Sequence, residues 1–175
     1  VVAFAAVKGW IPYDFDRGKG YDLLPLKNPD VGIIPTICFE DTLGRLTRRF
    51  VKRNPGSPQL IMNITNDGWF KESPGAIHHL ANAKVRAVEL RRPMARCANT
   101  GVTCVIDIFG NVDAVPPFGE GFLTTTLKLD PNPPMTIYAR FGDWFAKSCM
   151  LLTVIILSFR LAPQLLKRRK QNDGD

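Results

Sequence analysis

Two apolar runs break abruptly into polar turns, and those breaks organise most of the chain. The first is Ile33-Ile34-Pro35-Thr36-Ile37, which ends on Cys38 and meets acid two residues later in Glu40-Asp41. An apolar run of this length predicts a buried strand. Asp41 to Lys52 then sets Leu43, Leu46, Phe50 and Val51 among arginines, the pattern of an amphipathic helix. Gln59 to Thr65 is a second predicted strand, broken by the turn Asn66-Asp67-Gly68-Trp69-Phe70. Pro74-Gly75 ends a loop. Ala76 to Leu90 follows with Ile77, Leu80, Ala81 and Val88 at helical spacing, and Pro93 closes that helix. Val102 to Ile108 predicts a third strand, Gly110-Asn111 a hairpin-like turn into Val112 to Val115, and Phe122 to Leu129 a further strand. Pro131, Pro133 and Pro134 mark a stiff linker. Strands, helices and more strands in this order imply a mixed α/β sandwich rather than a simple doubly wound sheet.

Beyond the prolines the hydropathy changes. Ser148 to Phe159 is uninterrupted by charge but falls short of the roughly 20 residues a bilayer span needs. The stretch lengthens to 144–166 if Lys147 and Arg160 snorkel toward opposite interfaces. Trp144 and Phe145 stand where an interfacial aromatic belt would be, and Lys167-Arg168-Arg169-Lys170 follows directly. A buried helix or a monotopic anchor would fit the apolar core alone. The flanks favour a transmembrane helix over 144–166 and a basic cytoplasmic tail over 167–175, with everything before Trp144 on the outer side. The formal net charge is +7, and the basic block supplies four of those charges. Its place beside the apolar run reads as a topology signal, so no nucleic-acid partner is expected. Val1 to Val7 carries neither a charged leader nor a cleavage signature, which suggests a chain entered partway through a larger protein.

Chemistry concentrates at the two breaks. Cys38 falls at a strand-to-helix turn, where α/β proteins expose a nucleophile and a helix N-terminus favours a thiolate. A buried structural cysteine is the competing reading. The strand ends at Cys38 and at Asn66-Asp67 are expected side by side, since open sheets bind ligands beyond the carboxyl ends of their strands. Glu40 either supports the site or caps the helix; Trp69 and Phe70 either line an acyl pocket or pack the core. Arg86 and Glu89 suit an i, i+3 pair. Asn99-Thr100-Gly101 reads as a turn whose Asn99 can also donate into the site. Cys38, Cys97, Cys104 and Cys149 form no C-x-x-C pair, and His78 and His79 lie about 100° apart on a helix, so no metal pattern emerges.

Ile37-Cys38-Phe39-Glu40-Asp41 resembles the nucleophile motif of the carbon-nitrogen hydrolase (nitrilase) superfamily. The ordered series that follows looks more specifically like the apolipoprotein N-acyltransferases: Asn66-Asp67-Gly68-Trp69-Phe70, His78 or His79, Ala83 to Glu89, Arg92-Pro93, Arg96 and Asn99-Thr100-Gly101. The resemblance runs from about Gly32 to the end. It implies a partial four-layer αββα sandwich over 1–135, held on the outer face of a bacterial inner membrane and facing the periplasm. It implies acyl transfer without a cofactor or metal. Cys38 would be the nucleophile, taking an acyl chain from a phospholipid and passing it to the N-terminal amine of a diacylglyceryl-modified apolipoprotein. Glu40 would be a supporting acid, with Phe39, Trp69, Asn66 and Asp67 at the substrate. The family's general-base Glu and oxyanion Lys precede the nucleophile strand. Here Lys8, Lys19, Lys27, Asp14, Asp16, Asp22 and Asp30 precede Cys38, none in a family motif, so both groups are expected outside this chain. Two alternatives stay open: a membrane-anchored amidase or nitrilase, and a catalytically inactive fragment.

Overall fold

The computed structural model describes residues 20–27 and 30–172, with side chains to residue 161. Lys8, Lys19, Asp14 and Asp16, and the side chains of the basic block, lie outside the described residues. The chain divides into two compact units, residues 1–140 and 141–175.

The first unit is built on one six-stranded mixed sheet, in the spatial order β1 (Leu24–Lys27), β2 (Asp30–Ile37), β3 (Gln59–Asn66), β4 (Met94–Asn99), β5 (Cys104–Ile106) and β6 (Val112–Ala114). β2, β3 and β4 run parallel; β1, β5 and β6 add antiparallel edges. Parallel neighbours need crossovers. Helix α1 (Gly44–Arg53) connects β2 to β3, and α2 (Gly75–Leu90) connects β3 to β4. The helices pack on each other and cover one face of the sheet. In register across that face lie Ile34 and Thr36, Ile61 and Asn63, Met94 and Arg96, then Ile106 and Cys104, all buried. Phe50 and Val51 of α1 and Ala83, Ala87 and Leu90 of α2 close the core over them.

The alternate residues face the other way and are also apolar. Ile37 and Ile64, paired in register, stand 65% and 60% exposed. A parallel sheet is ordinarily covered on both faces. Among the described residues there is one sheet with one helical layer, half of the expected sandwich.

Several elements differ from the sequence reading, which also did not include β1. The helix expected from Asp41 starts at Gly44, because Cys38–Thr42 forms a 3-10 turn first and Leu43 leaves helical geometry. The third parallel strand of the sheet is Met94–Asn99, which the reading passed over; the expected Val102–Ile108 strand contracts to Cys104–Ile106. Phe122 to Leu129 has no strand pairing and runs as irregular chain.

Arg92 fastens the proline segment to the sheet. Fully buried, it donates through Nε to Gln59 Oε1 at 2.9 Å and through Nη1 to the carbonyls of Leu90 and Pro134. Burial pushes its pKa down to about 10, against the opposing pull of Asp130.

After a short helix, α3 (Ile137–Phe141), the second unit is dominated by helix α4 (Trp144–Asn172). Its Trp144–Leu161 portion, 18 residues of mean hydropathy 1.6, is long and apolar enough to cross a membrane by length and composition.

Candidate functional site

The register aligns the ends of the three parallel strands. Ile37 pairs with Ile64 and Asn66 with Asn99, so the turns after β2, β3 and β4 open at one edge. Cys38 begins the first turn with φ of +51°. A non-glycine residue there carries about 1–3 kcal/mol of strain, so surrounding structure must hold it. The partly buried Cys38 stands at the head of a five-residue 3-10 turn, six residues before α1, so no long helix dipole points at it.

Glu40 closes the turn. Its Oε2 accepts the N–H of Ile37 at 2.9 Å, in the manner of a capping-box acid. Phe39, 44% exposed, stacks on the His79 ring at 4.6 Å and 17°, and Phe70 meets both rings edge-on. Trp69, beside Phe70 in the turn after β3, is 80% exposed. Asn66 is also exposed; its Oδ1 accepts the Gly68 N–H at 3.0 Å and faces Asn99 Nδ2 at 3.4 Å. Asp67 is placed differently, buried behind the turns with both carboxylate oxygens engaged.

Asp67 belongs to a closed ionic lattice beneath Cys38. Arg96, pointing from β4 into the helix-covered face, reaches Asp41 Oδ2 at 2.7 Å and Asn63 Oδ1 at 2.7 Å through Nη1, and Asp67 Oδ2 at 2.9 Å through Nη2. His79, on the inner face of α2, puts Nε2 2.9 Å from Asp41 Oδ1 and Nδ1 2.9 Å from Asp67 Oδ1. Thr65 donates to Asp67 Oδ1 as well. Two carboxylates are thus set against one guanidinium, and a protonated His79 brings the cluster to neutrality. Burial alone would lower the pKa of His79. Its hydrogen bond and proximity to Asp41, with help from Asp67, outweigh both that burial and the Arg96 charge, so it titrates above its ordinary value. When protonated it donates to both aspartates. Arg96 Nη2 also lies 2.9 Å from His79 Nδ1.

Sequence reasoning gave Asp41, Asn63, His79 and Arg96 no mechanical role. One signal was present: Arg96 interrupts Met94-Ala95 and Cys97-Ala98, and an arginine inside an apolar run needs a buried acid. The remaining pieces fall as follows. His78 is exposed, Arg86 and Glu89 meet at 3.2 Å along α2, and Cys104 is buried, which pushes its thiol up to about 11.

Residues 14–131 match the carbon-nitrogen hydrolase family. The chain is similar to apolipoprotein N-acyltransferase 1 of Treponema denticola, 33% identical over 88% of this chain and 28% of the relative. It is also similar to the apolipoprotein N-acyltransferases of Geobacter metallireducens (35% identical; 84% and 27% covered) and Bradyrhizobium diazoefficiens (40%; 70% and 22%). The chain spans about a quarter of the length of these curated relatives. With the Cys38 turn at the ends of three parallel strands and a family match across most of its length, the chain belongs to the carbon-nitrogen hydrolase family.

Proposed function

We propose that this chain carries the nucleophile-bearing part of an apolipoprotein N-acyltransferase. The observation that carries the reading is Cys38 itself. It is held left-handed at the mouth of three parallel strands, beside exposed Phe39 and Trp69 that suit an acyl chain better than a small amide. The Cys38 thiolate attacks the sn-1 ester carbonyl of a phospholipid. A C–S bond forms, the ester C–O bond breaks, and the lysophospholipid oxygen takes up the proton the thiol gave to the general base. The α-amine of a diacylglyceryl-modified cysteine then attacks the thioester. The amide C–N bond forms, the C–S bond breaks, and the proton lost by nitrogen restores the thiol.

In this reading Glu40 supports the turn, Phe39 and Trp69 contact the acyl chain, and Asn66 offers its amide at the rim. Asp67 acts through the wall behind them. The open sheet face carrying Ile37 and Ile64 receives the second sheet of an αββα sandwich. Residues 144–166 cross a bacterial inner membrane, leaving the site in the periplasm and the basic tail in the cytoplasm.

The family match alone would also suit a membrane-anchored amidase. The intact protein in membranes, given phospholipid and a diacylated lipopeptide, should yield triacylated lipopeptide and lysophospholipid. Ammonia release from small amides, without acyl transfer, would reject the acyltransferase reading in favour of the hydrolase.

A further inference from the structure

The lattice is placed to do more than fill space. Three separate ties run from it to the Cys38 turn. Asp41, three residues after Cys38 in the same 3-10 turn, is fully buried and locked between Arg96 and His79. Phe39, the next residue after Cys38, lies flat on the His79 ring. The Cys38 carbonyl accepts from Asn63 Nδ2 at 3.1 Å, and that amide also donates to Thr36 Oγ1 at 3.1 Å. Asn63 can face the turn this way only because its Oδ1 is taken by Arg96. Every tie ends on Arg96 or His79, and Asp67 braces those two against each other.

The cost of this arrangement shows what sets it. Arg96 Nε is buried and has no hydrogen-bond partner among the described residues. An orphaned buried donor of that kind is destabilising. The guanidinium sits where the two carboxylates and Asn63 need it, not where its own donors are all satisfied.

We infer that His79, Asp67 and Arg96, acting through Asp41, Asn63 and Phe39, are positioning residues that hold Cys38 left-handed for attack. The inference rests on Cys38 being the nucleophile. None of the three needs to touch substrate. Loss of a tie lets the turn relax toward ordinary backbone geometry and moves the sulfur off its line of approach. A displacement of about 1 Å costs up to a hundredfold in rate.

Two variants of the intact protein test this in detergent micelles containing phospholipid. Asn63→Ala removes the amide that holds the Cys38 carbonyl yet leaves Arg96 paired with both aspartates, so the fold survives. His79→Gln keeps hydrogen bonding but removes the imidazolium. In each folded variant the rate of acyl-thioester formation at saturating phospholipid should fall about ten- to a hundredfold. KM for phospholipid should stay within about threefold, a split that a general loss of packing would not produce. If His79→Gln does not fold, Asn63→Ala alone decides. An undiminished acylation rate in folded Asn63→Ala overturns the inference and leaves the nucleophile standing. Absence of any acyl group on Cys38 in the unaltered protein overturns the nucleophile reading, and the inference with it.

Discussion

Arg96 shows how one residue links a strand to the turn that carries Cys38. It is 2% exposed and bonds Asp41, Asn63 and Asp67 from three different segments. Removing one partner of a buried pair leaves the rest uncompensated, at about 3–5 kcal/mol. Arg96→Met should therefore lower the unfolding free energy by about that amount, measured by denaturant titration. An effect below about 1 kcal/mol would mean the lattice is not closed as described. His79 adds a pH dependence. Its folded pKa lies above its unfolded value, so its contribution is complete below about pH 6.5 and is lost as pH rises through the raised value. Thermal midpoints should fall across that window in the unaltered protein and stay flat in His79→Gln. The Cys38 turn was legible because a cysteine ended an apolar run. The lattice was not, because its members are scattered over 55 positions and gain meaning only when the strands align.

At the scale of elements, periodicity located what was long and uniform. β2, β3 and α2 were readable because their apolar residues run or repeat without interruption. β4 escaped because Pro93 reads as a terminator and Arg96 breaks its apolar run, although Pro93 ends α2 and begins a strand in the same stroke. Phe122 to Leu129 has strand-like composition but pairs with no strand among the described residues, and pairing decides strands more than propensity does. The turn after β4 shows how closely the elements fit. A Cβ on Gly101 would press directly into the Asp67 carboxylate. Gly101→Ala should destabilise by about 1–3 kcal/mol through that overpacking, read as a lowered thermal midpoint. An unchanged midpoint would show that Asp67 has room to move.

At the scale of the whole molecule, topology and chemistry can be tested apart. If α4 crosses the membrane with its basic tail inside, a cysteine introduced at Ser73 should react with an impermeant thiol reagent in intact cells. One in the tail should not, and the reverse pattern would show an inverted chain. The central claim is narrower: that Cys38 becomes acylated. The most direct measurement is peptide mass mapping of the intact protein after exposure to phospholipid, in a hydroxylamine-sensitive comparison. The account expects one fatty-acyl mass on the Cys38 peptide, removed by hydroxylamine and absent in Cys38→Ala, with the peptides of Cys97, Cys104 and Cys149 unmodified. Full acyl transfer by Cys38→Ala, or acylation of another cysteine with Cys38 free, would contradict it.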